Sequence, residues 1–191
     1  MLSGRRLDLL NPSPLDIELS DIAHGLARVS RWNGQTIGDY PFSVAQHCIL
    51  VVEVLQANSN NPTPQELLYA LLHDGAEYVM GDIISPFKAA MGGNYKEIED
   101  RLLEAIHLRF SLAPVRPARM SKNIKKADKH AAFFEAVNLA GFEPDEAKGL
   151  FGEPGMAGFD LDGFERLIRP WPTREAQDRF QQVFDQITAQ L

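Results

Sequence analysis

Leu67-Leu68-Tyr69-Ala70-Leu71-Leu72-His73-Asp74-Gly75-Ala76-Glu77 is an apolar run that ends in a histidine, an aspartate and a glutamate. Just upstream, Thr63-Pro64-Gln65-Glu66 offers a capping side chain, a first-turn proline and an early glutamate. The spacing predicts a helix from Pro64 through the His73-Asp74 pair to about Met80. On such a helix His73 and Glu77 are four apart and Asp74 and Glu77 three apart, so all three crowd one face. Two more polar residues adjoin apolar helical stripes. His47 lies beside Val44, Cys48, Val51, Val52 and Leu55, behind a capping box of Ser43 and Gln46. Asp128 adjoins Met120, Ile124, Ala127, Ala131 and Phe134. Together they spell H…HD…D.

The rest of the chain also reads as helices. Leu15, Leu19, Ile22, Leu26 and Val29 alternate at spacings of four and three and predict a first helix. Residues 30–41 hold two glycines and a terminal proline and read as a loop carrying Arg31 and Trp32. Gly81-Asp82 breaks the helix of the dyad, and Ser85-Pro86 resembles another cap before Phe87-Lys88. Asn94 is placed to cap a helix bearing Tyr95, Ile98, Leu102, Ala105, Ile106 and Phe110; Pro114 and Pro117 bound the next linker. Gly141 is expected to end the helix of Asp128. Residues 144–172, with five glycines, read as an irregular surface excursion, and 173–191 as a C-terminal helix. Strand-type alternation is absent, so the expected class is all-α, a helical bundle in one domain over 1–191.

Composition narrows the function. A net charge of −7 gives no general attraction to DNA, RNA or anionic lipid, which disfavours a polymeric nucleic acid. A small anion could still be held by local Arg and Lys. No stretch approaches the roughly 18 apolar residues of a membrane span, and no secretory h-region develops at the N-terminus. The lone Cys48 cannot form an internal disulfide and fits a cytoplasmic location.

Two histidines and two carboxylates are a mixed nitrogen and oxygen set suited to one divalent ion such as Mn, Fe, Co, Zn, Ni or Mg. Each residue alone has an ordinary reading: a core histidine, a surface His-Asp pair, an aspartate on a lysine-rich face. Jointly they favour a metal, because one core would otherwise have to tolerate all four.

These motifs resemble the HD-domain phosphohydrolases, most closely their bacterial 5'-deoxynucleotidase branch. The resemblance is carried in order by Arg31-Trp32, Ser43-Val44-Ala45-Gln46-His47, Leu71-Leu72-His73-Asp74-Gly75-Ala76-Glu77, Gly81-Asp82 with Ser85-Pro86-Phe87-Lys88, Tyr95-Lys96-Glu97-Ile98-Glu99 and Lys125-Lys126-Ala127-Asp128, over about residues 21–140. It implies that His47, His73, Asp74 and Asp128 bind one divalent ion and that Glu77 is the acid/base. It also implies that Arg31 anchors phosphate, with Lys88 and Ser85 nearby, that Asp82 contacts the sugar or supports Glu77, and that Trp32 packs on the sugar. His107 lies outside any motif and reads as structural. The implied activity is removal of phosphate from a small nucleotide, first a deoxynucleoside 5'-monophosphate. A triphosphohydrolase of the same fold is the alternative, and a non-catalytic metal and nucleotide sensor or a helical interaction module are readings of another class. A homodimer is compatible with the resemblance. Gln46 stands where the branch usually has glutamate, and the loop 30–41 and the glycine-rich tail from about 149 depart from it.

Overall fold

The second helix, Val44–Asn58, is buried on every side from Val44 to Leu55 except at Glu53. A helix apolar all round belongs in the middle of a protein, and this one does. The computed structural model describes residues 1–59, 61–84, 87, 93–155 and 161–191. In chain order the α-helices placed by the described residues include α1 (Leu19–Leu26), α2 (Val44–Asn58), α3 (Pro64–Leu71), α4 (Glu77–Met80), α5 (Gly93–Arg109), α6 (Ala118–Asn138), α7 (Pro144–Phe151), α8 (Leu161–Ile168) and α9 (Thr173–Thr188). Among the described residues there is no strand, only an isolated antiparallel bridge between Ser30 and Ser43. The all-α expectation holds.

Helix α2 packs against α6, α3 and α9, while α9 also covers α1 and α3. Ser43 caps α2 by accepting from the Gln46 N–H, and Thr63 caps α3 in the same way from Glu66, as the sequence predicts. The Ser30–Ser43 bridge closes the loop between them: the Arg31 N–H donates to Phe42 O at 2.8 Å, and that of Val44 to Val29 O at 2.9 Å. Arg31 is thereby fixed beside the first turn of α2, which carries His47.

Three expectations are corrected. The helix of the dyad is not continuous: α3 stops at Leu71 and residues 72–76 form turns before α4 starts at Glu77. There His73, Gly75 and Glu77 donate to carbonyls three residues back, Ala70, Leu72 and Asp74, so the coil is tighter than α. Close packing accompanies the change, since a Cβ on Gly75 would stand 2.9 Å from Leu72 O and 3.3 Å from Ile106 Cδ1. The first helix is also shorter than predicted. Leu15 lies in a 3-10 turn, 75 % exposed, while Ile17 in extended backbone is fully buried. Finally, the tail is no excursion, because α7 and α8 form within it and both pack on α6.

Gln46 holds the C-terminal end of the tail. Its buried amide donates to Leu167 O and Arg169 O, both at 2.7 Å, and its carbonyl accepts from the Trp171 N–H at 3.1 Å. Among the described residues no helix is long and apolar enough to cross a membrane.

Candidate metal centre and its cavity

His47 points from α2 at the turn that carries His73 and Asp74, and Asp128 reaches them from α6. The two imidazole centroids are 5.2 Å apart. Nε2 of His47 lies 3.3 Å from Asp128 Oδ1 and 3.5 Å from Asp74 Oδ2, and Nε2 of His73 is 3.9 and 3.2 Å from the same atoms. Among the described residues, His47, His73 and Asp128 offer ligand atoms within 4.8 Å of one another. The structure thus brings together all four residues of the H…HD…D pattern, with Asp74 flanking both rings.

Whether the set suits a metal is decided by the two ring nitrogens that face away from it. Nδ1 of His73 meets the carbonyl of Ala70 at 2.8 Å, and a carbonyl only accepts, so Nδ1 carries the proton. Nδ1 of His47 lies 2.5 Å from Glu135 Oε1. In a neutral ring both Nε2 atoms are then lone-pair donors, and both are buried without a hydrogen-bond partner. Two orphaned nitrogens converging with carboxylates fit one divalent ion.

Electrostatics say the same. Burial and Arg31 push the His47 pKa down, but Glu135 and Asp128 outweigh them and raise it to about 9. His73 is held well above its usual range against burial, chiefly by Asp74. Asp74 and Asp128 are depressed despite burial, Asp74 mainly by His73 and Asp128 mainly by the adjacent His47 ring. The cluster therefore favours positive charge at its centre, and a cation can replace the protons there.

Glu135 did not stand out in the sequence. It is fully buried and joins three partners: His47 Nδ1, Arg31 Nε at 3.2 Å and Trp32 Nε1 at 2.8 Å. The available signal was its place seven residues after Asp128, two turns along one face of α6. Arg31 also pairs with Asp82 at 3.3 Å, so its guanidinium lies between two carboxylates. Trp32 adopts left-handed backbone, φ 56°, which bulky residues rarely do, and its ring rests on Phe142 and Phe151 at 5.6 and 6.0 Å. Phe151 ends α7, so the loop and tail that depart from the resemblance meet at this tryptophan.

Glu77 is 3 % exposed at the start of α4. It lines a cavity of about 440 Å³ with His73, Asp74, Asp128, Arg116 and Lys125. Ser85 and Lys88 lie outside the described residues. His107 is apart from the cluster; its Nδ1 donates to Pro114 O at 2.7 Å and its ring stands edge-on to Tyr69.

No family model matches the chain. An uncharacterized protein of Rhodobacter capsulatus is 55% identical over 154 residues, 81% of this chain and 79% of that protein. The chain belongs to that protein's family. Among solved structures it is similar to the HD phosphohydrolase DatZ of cyanophage S-2L, bound to dA and one catalytic Zn2+ ion. The TM-score is 0.52 at 23% identity, over 92% of this chain and 99% of that one. The architecture is therefore that of an HD phosphohydrolase.

Proposed function

We propose that the protein is a metal-dependent phosphohydrolase acting on a small nucleotide, first a deoxynucleoside 5'-monophosphate. The observation that carries this is the pair of orphaned Nε2 atoms, on His47 and His73, converging with Asp128 at a cavity wall. The deoxynucleoside dA bound to DatZ supports a small deoxynucleotide as the substrate class. His47, His73, Asp74 and Asp128 would hold the ion. When bound, the ion supplies Lewis-acid polarisation of a phosphoryl oxygen and activation of water.

The remaining chemistry falls to side chains. Glu77 would orient the attacking water or give a proton to the leaving ribose oxygen. Its place on the cavity with the cluster supports catalysis over a sensor role. Arg31 would have to leave Glu135 or Asp82 to bind phosphate with its whole fork, whereas in place it steadies Glu135 and, through it, His47. Asp82 supports that arrangement. Trp32 would face the sugar, with Phe142 and Phe151 setting its position. Ser85 and Lys88 stay as proposed substrate contacts by resemblance.

The test is a phosphate-release screen of ribo- and deoxynucleoside mono-, di- and triphosphates with Mn, Co, Zn and Mg. Release from deoxynucleoside monophosphates supports the proposal. Turnover of triphosphates alone moves the assignment to a triphosphohydrolase.

A further inference from the structure

The cavity at the metal cluster is strongly acidic. Asp74, Glu77, Glu99, Asp100 and Asp128 all line it. Among the described residues three cations share the wall, and one, Lys96, pairs with Asp100 at 3.2 Å. The other two, Arg116 and Lys125, have no carboxylate within ion-pair distance among the described residues. Arg116 is the more telling. It is half-buried in the linker ahead of α6, and it lines both this cavity and a smaller one of about 250 Å³ beside His107. Burial is the largest influence on the guanidinium and opposes its charge, while Asp74, Tyr69, Asp100 and Asp128 favour it. A half-buried arginine on the wall of an acidic cavity would ordinarily take one of the carboxylates as a direct partner. This one keeps its donors open, and open donors on a cavity call for an anion from outside.

Position selects the anion. Lys125 precedes Asp128 by three residues on α6, so ammonium and metal-cluster carboxylate share one face. Ser121, one turn earlier, adds a hydroxyl to the same wall. The volume of about 440 Å³ falls within the range of small-ligand sites.

We infer that Arg116 and Lys125 form the anion-binding end of this cavity and take the phosphate of the nucleotide, making Arg116 a residue that selects phosphorylated over unphosphorylated nucleosides. This assignment rests on the proposed phosphohydrolase reading and gives the phosphate a holder that does not depend on freeing Arg31 from its two carboxylates.

The experiment is calorimetric titration of the metal-loaded full chain with inorganic phosphate and, separately, with deoxyadenosine, alongside KM and kcat. Arg116→Gln is expected to weaken phosphate binding about tenfold or more, as for loss of a charged hydrogen bond. Deoxyadenosine binding and thermal midpoint should be unchanged. Arg116→Lys should recover part of the phosphate affinity, and Lys125→Gln should lose a smaller part. Equal phosphate affinity in parent and Arg116→Gln, no phosphate binding by the parent, or parallel loss of deoxyadenosine would overturn the inference. Phosphate binding that depends on Arg116 in a protein that hydrolyses no nucleotide would preserve this site and sink the proposed activity. An active hydrolase whose Arg116→Gln variant keeps its KM would sink the site alone.

Discussion

Oε1 of Glu135 lies 2.5 Å from Nδ1 of His47, and neither side chain is exposed at all. A histidine that ligates through Nε2 is commonly oriented through Nδ1 by a carboxylate, and Glu135 is placed for that role. Its other oxygen holds Arg31 and Trp32, so one carboxylate ties the metal cluster to the loop beside it.

Glu135→Gln keeps the shape and removes the charge. Metal affinity is expected to fall about 10- to 100-fold, as for other groups that orient a ligating histidine. Competition against a chelating dye measures this, and unchanged affinity would leave Glu135 a purely structural residue.

The turn at Gly75 makes a second prediction. A methyl there meets Leu72 O at 2.9 Å, a backbone atom that cannot swing aside. Gly75→Ala should cost about 1–3 kcal/mol in denaturant unfolding, typical of overpacking. Metal retention should fall with it, because His73 and Asp74 sit on the displaced turn.

Glu77→Gln should lower kcat about 10²- to 10⁴-fold, the usual weight of a general acid or base. Metal content should not change. Near-parent turnover of the variant would remove Glu77 from the mechanism.

His107 supplies a pH dependence outside the cluster. Burial pulls its pKa down to about 4, against the opposing Pro114 carbonyl and with help from Arg116. The unfolded chain, titrating near 6.5, binds the proton more readily. The contribution is therefore complete above about pH 6.5 and is lost as the pH falls toward 4. Comparing unfolding free energies at pH 7 and pH 5, His107→Gln should lose about 1–2 kcal/mol less than the parent. Equal losses in both proteins would contradict this.

The helices were legible because their apolar positions are periodic, and the four-residue pattern because its members adjoin those stripes. Caps at Ser43 and Thr63, apolar stripes around His47 and Asp128, and the termination near Gly141 follow from local rules, and all appear. What was hidden depends on long-range packing. Where the dyad leaves α-helical geometry, Gly75 lies against Ile106 of α5, a contact that no local propensity reveals. The tail looked irregular because its glycines obscure α7 and α8, and the end of α8 is held by Gln46, more than 120 residues earlier. Glu135 and Arg116 gave little signal, since charged residues on a helix and in a proline-bounded linker are ordinarily solvated.

One ion at His47, His73, Asp74 and Asp128 is expected to govern phosphate release. The decisive measurement strips the purified protein with a chelator and titrates a divalent ion back while following phosphate release from a deoxynucleoside 5'-monophosphate. Release should vanish on stripping, return linearly and level off at one ion per chain, and His73→Ala should not recover. Release that survives stripping, or that the His73→Ala variant retains, would contradict the account.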